Sequence, residues 1–492
     1  MNQLQRKLLV KVHSYQSPCP RLGSINTQIG LLSLICILFM LLANCAPRTV
    51  NQEMMPLVDS SPVYSLPVTG DTTEQKSYWW EEFNDPLLSS LINKSLSSNF
   101  TLKQANERIK QAHAVEKQTT AQLYPEVTGE LSGTSTWTND GEQQERYLGQ
   151  VELSWEADLW ARLSSRSNAA FFEAQASLDE LEAIALVVSS QVAEIYFQIT
   201  EQKLQLALLD RQIELGEKFY ALTKLRFANG AASIVDVYQQ SQQLAATRTQ
   251  LPIVRANLYT LTNRLYVLSG SAPDHKSLQI TDALPQLPQL PELGIPADLL
   301  TNRPDLRSLH NNLIATDYLV AEAEANRLPQ IRLGGSGGFE GSEFTSDGLF
   351  LSLFGGLVSP LIDWGERKAE VERRQAIVNE ELARYTQVFL VAIEEVENAL
   401  WLEQQQKELI DAVNEQFRIA KANLSETRSR YMQGLSDYLP VLAALQSVQT
   451  LEREILLRHR QLILIRILLY RALGGQNLMA GLENADKQDE GS

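Results

Sequence analysis

The sequence predicts a mainly α-helical chain with a small β part, built from one structural unit written twice. Three observations predict it. A single offset of 204 residues pairs Arg226-Phe227-Ala228-Asn229-Gly230 with Arg430-Tyr431-Met432-Gln433-Gly434, Pro125 with Pro329, Trp160 with Trp364, Tyr266 with Tyr470 and Gly270 with Gly474. One ungapped register that matches Trp, Pro and Gly together is the signature of an internal repeat. Each copy also holds a long heptad-patterned stretch almost free of Gly and Pro, and each holds two short segments of alternating polarity. Length alone, 492 residues, would suggest about three domains; the repeat replaces that estimate with one duplicated unit. With 44% hydrophobic and 21% charged residues the chain is ordinary for a folded protein, which excludes disorder, collagen and a multi-span helical membrane protein. A formal charge of −16 argues against a nucleic-acid partner, which calls for a basic stripe or arm.

The first 45 residues read as an address. They contain Arg6, Lys7, Lys11 and Arg21 and no acid, then an apolar run from Leu31 to Ala43. At about 13 residues that run is too short for a bilayer span and suits a signal-peptide core. It ends in Leu42-Ala43-Asn44-Cys45, similar to a bacterial lipobox, which makes Cys45 the expected lipidation site. Loss of the leader takes the charge from −16 to −20. The three cysteines, Cys19, Cys36 and Cys45, leave no disulfide framework or cysteine metal site beyond residue 45.

The rest divides into a Pro/Ser/Thr-rich lead-in (46–85), a first copy (86–270), a Pro-rich joint (271–291), a second copy (292–474) and a polar tail (475–492). Each copy opens with a helical stretch, about 86–122 and 296–327; Pro304-Asp305 suits a first helical turn. Strand-like segments follow. Val127, Gly129, Leu131, Gly133 and Trp137 alternate with Thr128, Glu130, Ser132, Thr134 and Thr136; Tyr147, Gly149, Val151, Leu153 and Trp155 alternate with Gln150, Glu152, Ser154 and Glu156. The second copy repeats this more weakly through Ile331, Leu333 and Phe339, then Leu349, Leu351, Leu353 and Leu357. One apolar and one wholly polar face fits a strand between lipid and water, with Trp137 and Trp155 in the interfacial girdle. A soluble hairpin with one buried face has the same alternation; the secretory address favours lipid.

The third element, about 157–228, carries its apolar residues three and four apart from Leu178 to Phe227, and the second copy does so from Leu382 to Tyr431. That is a coiled-coil pattern, and about 70 residues make roughly 100 Å of helix. Asn229-Gly230 and Gln433-Gly434 stop the two helices, and a second helix returns, so each copy is a tall helical hairpin with a tight tip.

Four strands cannot close a barrel, and an open sheet edge in lipid strands unpaired N–H and C=O groups. The barrel must be shared between chains: two would give eight strands, three would give twelve and room for a lumen.

The chain resembles the outer membrane factor (TolC-like) family, and within it the NodT-type efflux lipoproteins. The resemblance rests on the stretch Pro296-Ala-Asp-Leu-Leu-Thr-Asn-Arg-Pro-Asp-Leu306, both tip stretches and Ala472-Leu473-Gly474-Gly475. It implies a homotrimer with a twelve-stranded barrel on a helical periplasmic tunnel, lodged in outer-membrane lipids. It implies a periplasmic adaptor and an inner-membrane pump of the resistance-nodulation type as partners, and no cofactor. It places adaptor docking at Asn229, Gly230 and Ala231 and at Gln433, Gly434 and Leu435. The residues six and nine after the tip glycine, which form the family's constriction, are Asp236 and Gln239 in one copy and Pro440 and Ala443 in the other; the gate candidates are Asp236, Gln239 and Leu439. Glu130, Glu152 and Glu156 are the lumen-lining candidates and would bias it toward cations.

The run Gly334-Gly335-Ser336-Gly337-Gly338 lacks the Gly-Lys-Ser/Thr of a phosphate loop and reads as barrel wall. The five histidines are isolated and no Ser/His/Asp set is apparent, so no enzyme is expected. The function expected is a passive outer-membrane conduit for small molecules handed over by pump and adaptor. The alternatives are a lipid-anchored coiled-coil scaffold without a pore, and a type I protein secretion channel.

Overall fold

The computed structural model describes residues 47–58, 61, 63–65, 78–274, 280–291, 293–342 and 348–475; Cys45 and the expected leader lie outside them. The first copy runs α1 (Pro86–Ser98), α2 (Phe100–Ala121), β1 (Glu126–Trp137), β2 (Gln143–Ala157), α3 (Arg162–Ala228) and α4 (Ile234–Leu268). A one-turn helix, Leu299–Asn302, leads into α5 (Pro304–Ala325), β3 (Gln330–Gly341), β4 (Leu349–Val358), α6 (Glu366–Met432) and α7 (Leu439–Ala472). Both ends of β3 and of α6 lie 204 residues after those of β1 and α3.

The opening helical stretches are each interrupted, the second at the Pro304 first turn that the sequence suggests. Asn99 leaves the helix so that its side chain accepts from the Thr101 and Leu102 N–H groups while Nδ2 donates to the Leu268 carbonyl at 2.8 Å. Its counterpart Arg303 stands before Pro304, in the extended conformation that proline imposes on its predecessor. Arg303 Nη1 donates to the Ala472 carbonyl at 3.2 Å, so two different side chains make the same tie.

At 67 residues each, α3 and α6 are about 100 Å long. Each buries an apolar core. Around the first copy's Phe197 it gathers Trp79, Trp80 and Phe83 from the end of the lead-in and Tyr470 from α7, with edge-on, tilted and stacked rings 5.2–6.4 Å apart. In the second it holds Leu306, Leu313, Tyr385, Phe389 and Val396. Lower down, the contact between α3 and α7 turns polar. Gln205 Nε2 donates to the Arg453 carbonyl at 2.9 Å and Gln212 Nε2 to Glu452 at 2.8 Å, and from α7 Gln446 Nε2 reaches Gln243 of α4 at 2.6 Å.

Two further pieces lace the copies. The start of the lead-in lies along the second copy: the Asn51 N–H donates to Asp317, the Leu57 N–H to Thr386 and the Ser65 N–H to Glu397. The joint is held by Arg466, which donates to the Pro288 and Gln289 carbonyls at 3.0 and 2.9 Å and forks onto Glu403 at 2.8 and 2.7 Å. Both partners are almost fully buried. Burial alone would raise the Glu403 carboxyl, yet Arg466 and Lys407 hold it below the usual carboxylate range.

The strands form one antiparallel sheet in the order β1-β2-β3-β4, with β1 and β4 at its edges. Glu126 faces Ser154 in the first hairpin, Gln330 faces Val358 in the second, and Tyr147 faces Gly341 where the copies meet.

Candidate functional site

The register sorts the sheet into two faces. Val127, Leu131, Trp137, Val151, Leu153, Leu333, Leu351, Leu353 and Leu357 share one; Glu126, Thr128, Glu130, Gln150, Glu152, Glu156 and Arg332 share the other. Leu351 and Leu353 are 83% and 84% exposed, so nothing among the described residues covers the apolar side. An uncovered leucine face on a β-sheet is what an apolar solvent requires. The other face departs from expectation in one respect: Leu148, Phe350 and Phe354 sit on it, so it is not wholly polar. Phe354 lies across Gly334 and Phe339 across Gly149, where a Cβ would collide with each ring. Aromatic rings covering cross-strand glycines make the Gly334–Gly338 run part of the wall, in β3.

The three expected lumen acids share that face but differ in charge balance. Glu130 accepts from Gln150 Nε2 at 2.9 Å. Glu152 lies opposite Ser336. Glu156 is forked by Arg162 at 2.9 Å through both oxygens, in a half-buried pair, so its charge is offset on the spot. Sequence periodicity sees Glu156 as free because Arg162 belongs to the next element. Trp137 stands 71% exposed at the hairpin end, whereas Trp155 turns its indole N–H back onto the Leu123 carbonyl at 2.9 Å. Trp155 is thus tied to the foot of the sheet by the protein itself.

At the far end of the helices both tips close alike. Gly230 and Gly434 have φ of 71° and 72°, a left-handed conformation that costs glycine nothing. The Ala231 N–H donates to the Arg226 carbonyl at 2.8 Å and the Leu435 N–H to the Arg430 carbonyl at 2.9 Å, while each glycine N–H closes the inner bond. This is the Schellman geometry, six residues to a ring. Asn229 Nδ2 donates to the Leu225 carbonyl and Gln433 Nε2 to Ser429 Oγ, leaving Ala231 and Leu435 outward.

The gate candidates are less alike. Asp236 is third in α4 and accepts from the Ser233 N–H at 3.1 Å in a capping box, so one carboxylate oxygen is committed to the helix start. Gln239 is half-buried, and Leu439 opens α7 with its side chain exposed. A cross-link between the tips is absent from the residue pattern. The Arg226 guanidinium lies 4.5 Å from the Tyr431 ring centre, and the Tyr438 hydroxyl donates to Gln240 Oε1 at 2.5 Å. Burial pushes the Tyr438 hydroxyl up to about 12, so it remains a donor. The repeat already singled out Arg226 and Tyr431; their contact needed the fold, because they lie in different copies.

The family model described as "Outer membrane efflux protein" matches residues 91–271 and 295–475. The chain is 30% identical over 427 residues to Nodulation protein T of Rhizobium leguminosarum bv. trifolii, covering 83% of this chain and 90% of that protein. It is 26% identical over 419 residues to the cation efflux system protein CusC of Escherichia coli, covering 82% and 88%. Among solved structures, the CmeC outer membrane channel of Campylobacter jejuni superposes with a TM-score of 0.80 at 21% identity, over 90% of this chain and 98% of that one. The open-state MtrE channel of Neisseria gonorrhoeae does so with 0.78 at 23%, over 87% and 98%. These structures share the fold of this chain. The leucine-faced sheet, the duplicated hairpins and a family match over both copies make the chain a member of the outer membrane efflux protein family.

Proposed function

We propose that this chain is the outer-membrane conduit of a three-part export system. Three copies join their sheets into a twelve-stranded barrel, and their helices continue it as a periplasmic tunnel. Cys45, once lipidated, anchors the chain to the outer membrane. The tips at Asn229, Gly230, Ala231, Gln433, Gly434 and Leu435 dock a periplasmic adaptor, through which an inner-membrane pump of the resistance-nodulation type hands over small molecules. Transport through the conduit is passive and involves no catalysis. The observation that carries this reading is the sheet: one uncovered leucine face, one largely polar face and two unpaired edges. Lipid tolerates such a sheet only when its edges are closed, and three copies leave a lumen where two would leave a filled interior.

The test has two parts. Purified protein should run as a heat-resistant trimer and conduct ions in planar bilayers. Cells lacking it should accumulate a pump substrate, and the full chain should restore export only when adaptor and pump are present. A trimer that carries no current would defeat the proposal.

A further inference from the structure

Where α2 begins beside the end of α4, the two rest against the middle of α3 and leave a groove of about 490 Å³. Phe100, Ile184, Val187, Val188, Val267 and Leu268 form its apolar wall, and Phe100, Val187 and Val267 are exposed. That volume suits a small organic molecule. The polar lining is Asn99, Thr101, Gln191 and Arg264, with no acid among them. Asn99 is spent on the α4 carboxyl end through Leu268. The Arg264 guanidinium is exposed, and neither it nor the Gln191 amide has a partner among the described residues. Beside the groove Lys103 Nζ lies 5.1 Å from the Phe100 ring centre, and it too has no acidic partner among the described residues.

The second copy fills the same junction with paired charge. Arg303 forks onto Asp305 at 3.0 and 2.7 Å and donates to Glu395 at 2.6 Å. The counterparts 204 residues earlier are Asn99, Thr101 and Gln191. The first copy therefore holds neither acid, and it has Arg264 where the second has Leu468. Helix packing alone does not ask for this difference, because both copies tie the same helices together. What differs is chemistry: self-neutralised in one copy, cationic and unpaired in the other.

The groove also has a direction. Val187 stands nine residues before Tyr196, about two and a half turns, so the two point to opposite sides of α3. Tyr196 faces α1 and donates to Asp85 at its start, at 2.7 Å. The end of the lead-in packs in the same core. In a ring of helices that added layer lies outside, because the lead-in runs back to Cys45 and its proposed anchor in lipid. Val187 then faces the tunnel, 25 residues past Arg162 and so about 40 Å below the sheet.

We infer that this groove is a holding site for cargo, and that the cargo it takes is an amphiphilic organic anion. The apolar wall receives a flat hydrophobic body, and Arg264 with Gln191 holds one carboxylate or sulfonate at its edge. Charge-assisted bonds to arginine are the stronger kind, and Lys103 adds attraction from the rim. A neutral molecule of the same shape leaves Arg264 unpaired, and a cation is repelled. The inference rests on the conduit proposed above and adds a substrate class to it.

The full chain in lipid nanodiscs, titrated calorimetrically with protein-free nanodiscs subtracted, tests the site. The probe is 2-naphthoate. It should bind saturably, once per chain, and at least about tenfold more tightly than 2-naphthylmethanol. Arg264→Gln should erase that preference. Gln191→Glu, which restores the acid of the second copy, should weaken 2-naphthoate by about tenfold and leave the alcohol unchanged. Val187→Trp fills the groove and should weaken both. Planar bilayers give the functional readout: 2-naphthoate should block the wild-type current reversibly, and Arg264→Gln should abolish the block. Equal affinity for acid and alcohol overturns the inference, as does 2-naphthoate binding or block that all three variants leave unchanged; a conducting chain with either result keeps the proposed function. A chain that binds the probe as described but carries no current overturns the proposed function, and the cargo role with it.

Discussion

Gly434 is the residue on which a tip most depends. Its φ of 72° closes the turn, and open space lies where a side chain would project. Replacing it with Trp costs about 1–2 kcal/mol of backbone strain, too little to unfold a helix anchored over its upper half. The expected outcome is an intact trimer that no longer cross-links to the adaptor; unaltered export would show that the tip is not the docking site. Asp236 makes a second test. As a capping-box residue its loss should cost about 0.5–2 kcal/mol at the start of α4. As a gate residue its loss should also raise single-channel conductance in planar bilayers. Asp236→Ala with lower stability and unchanged conductance would make it a cap alone. Gly230 and Gly434 were legible from the sequence as helix stops, because that role is local; Asp236 was singled out by the family resemblance, and its capping box appeared only in the structure. The Tyr438–Gln240 bond spans 198 positions and was not legible either.

Among the elements, the strands and long helices follow from periodicity. The breaks at Asn99 and Arg303 do not, because each exists to reach a carbonyl 169 residues away. The joint was legible only as a run of prolines; its anchor is the buried Arg466–Glu403 pair, whose first-copy counterparts are Thr262 and Ile199. Removing one partner of a buried pair leaves an uncompensated charge and costs about 3–5 kcal/mol. Glu403→Leu alone should therefore lower the melting temperature markedly, and Glu403→Leu with Arg466→Leu should recover most of it. The pair also gives a pH signature. Glu403 titrates below its unfolded value of about 4.3, so its contribution is complete above that value and is lost as pH falls through the folded one. Melting between pH 5 and pH 2 should be less steep in the double variant than in the wild type; identical slopes would mean that the pair does not govern acid stability.

For the whole molecule the open question is charge. Loss of the expected leader would take each chain from −16 to −20, but in the proposed barrel only acids on the inner face bear on which ions pass. Glu130 and Glu152 have no cationic partner described, whereas Glu156 has Arg162. Glu152→Gln should lower the cation-to-anion permeability ratio, read as a shift of reversal potential across a salt gradient. Glu156→Gln should leave selectivity nearly unchanged while weakening the foot of the sheet. Equal shifts for both would show that the Arg162 pair opens in the assembled barrel. The duplication was legible because one offset of 204 residues aligns both copies, and the same offset relates β1 to β3 and α3 to α6. Which acids keep their charge was not, because that depends on neighbours outside the strand.

The amide contacts between α3 and α7 give the tall body a mechanical character of its own. Near the membrane the hairpins are clamped by close-packed rings and leucines, which resist any shift. Toward the tips the buried Gln205 and Gln212 and the exposed Gln446 hold on through a few directional hydrogen bonds, and at the very end Arg226 meets Tyr431 and Tyr438 meets Gln240. Each hairpin is therefore held by bulk packing at one end and by a handful of directional bonds at the other. A sideways push on one tip is handed to its neighbour through those bonds rather than absorbed within the hairpin.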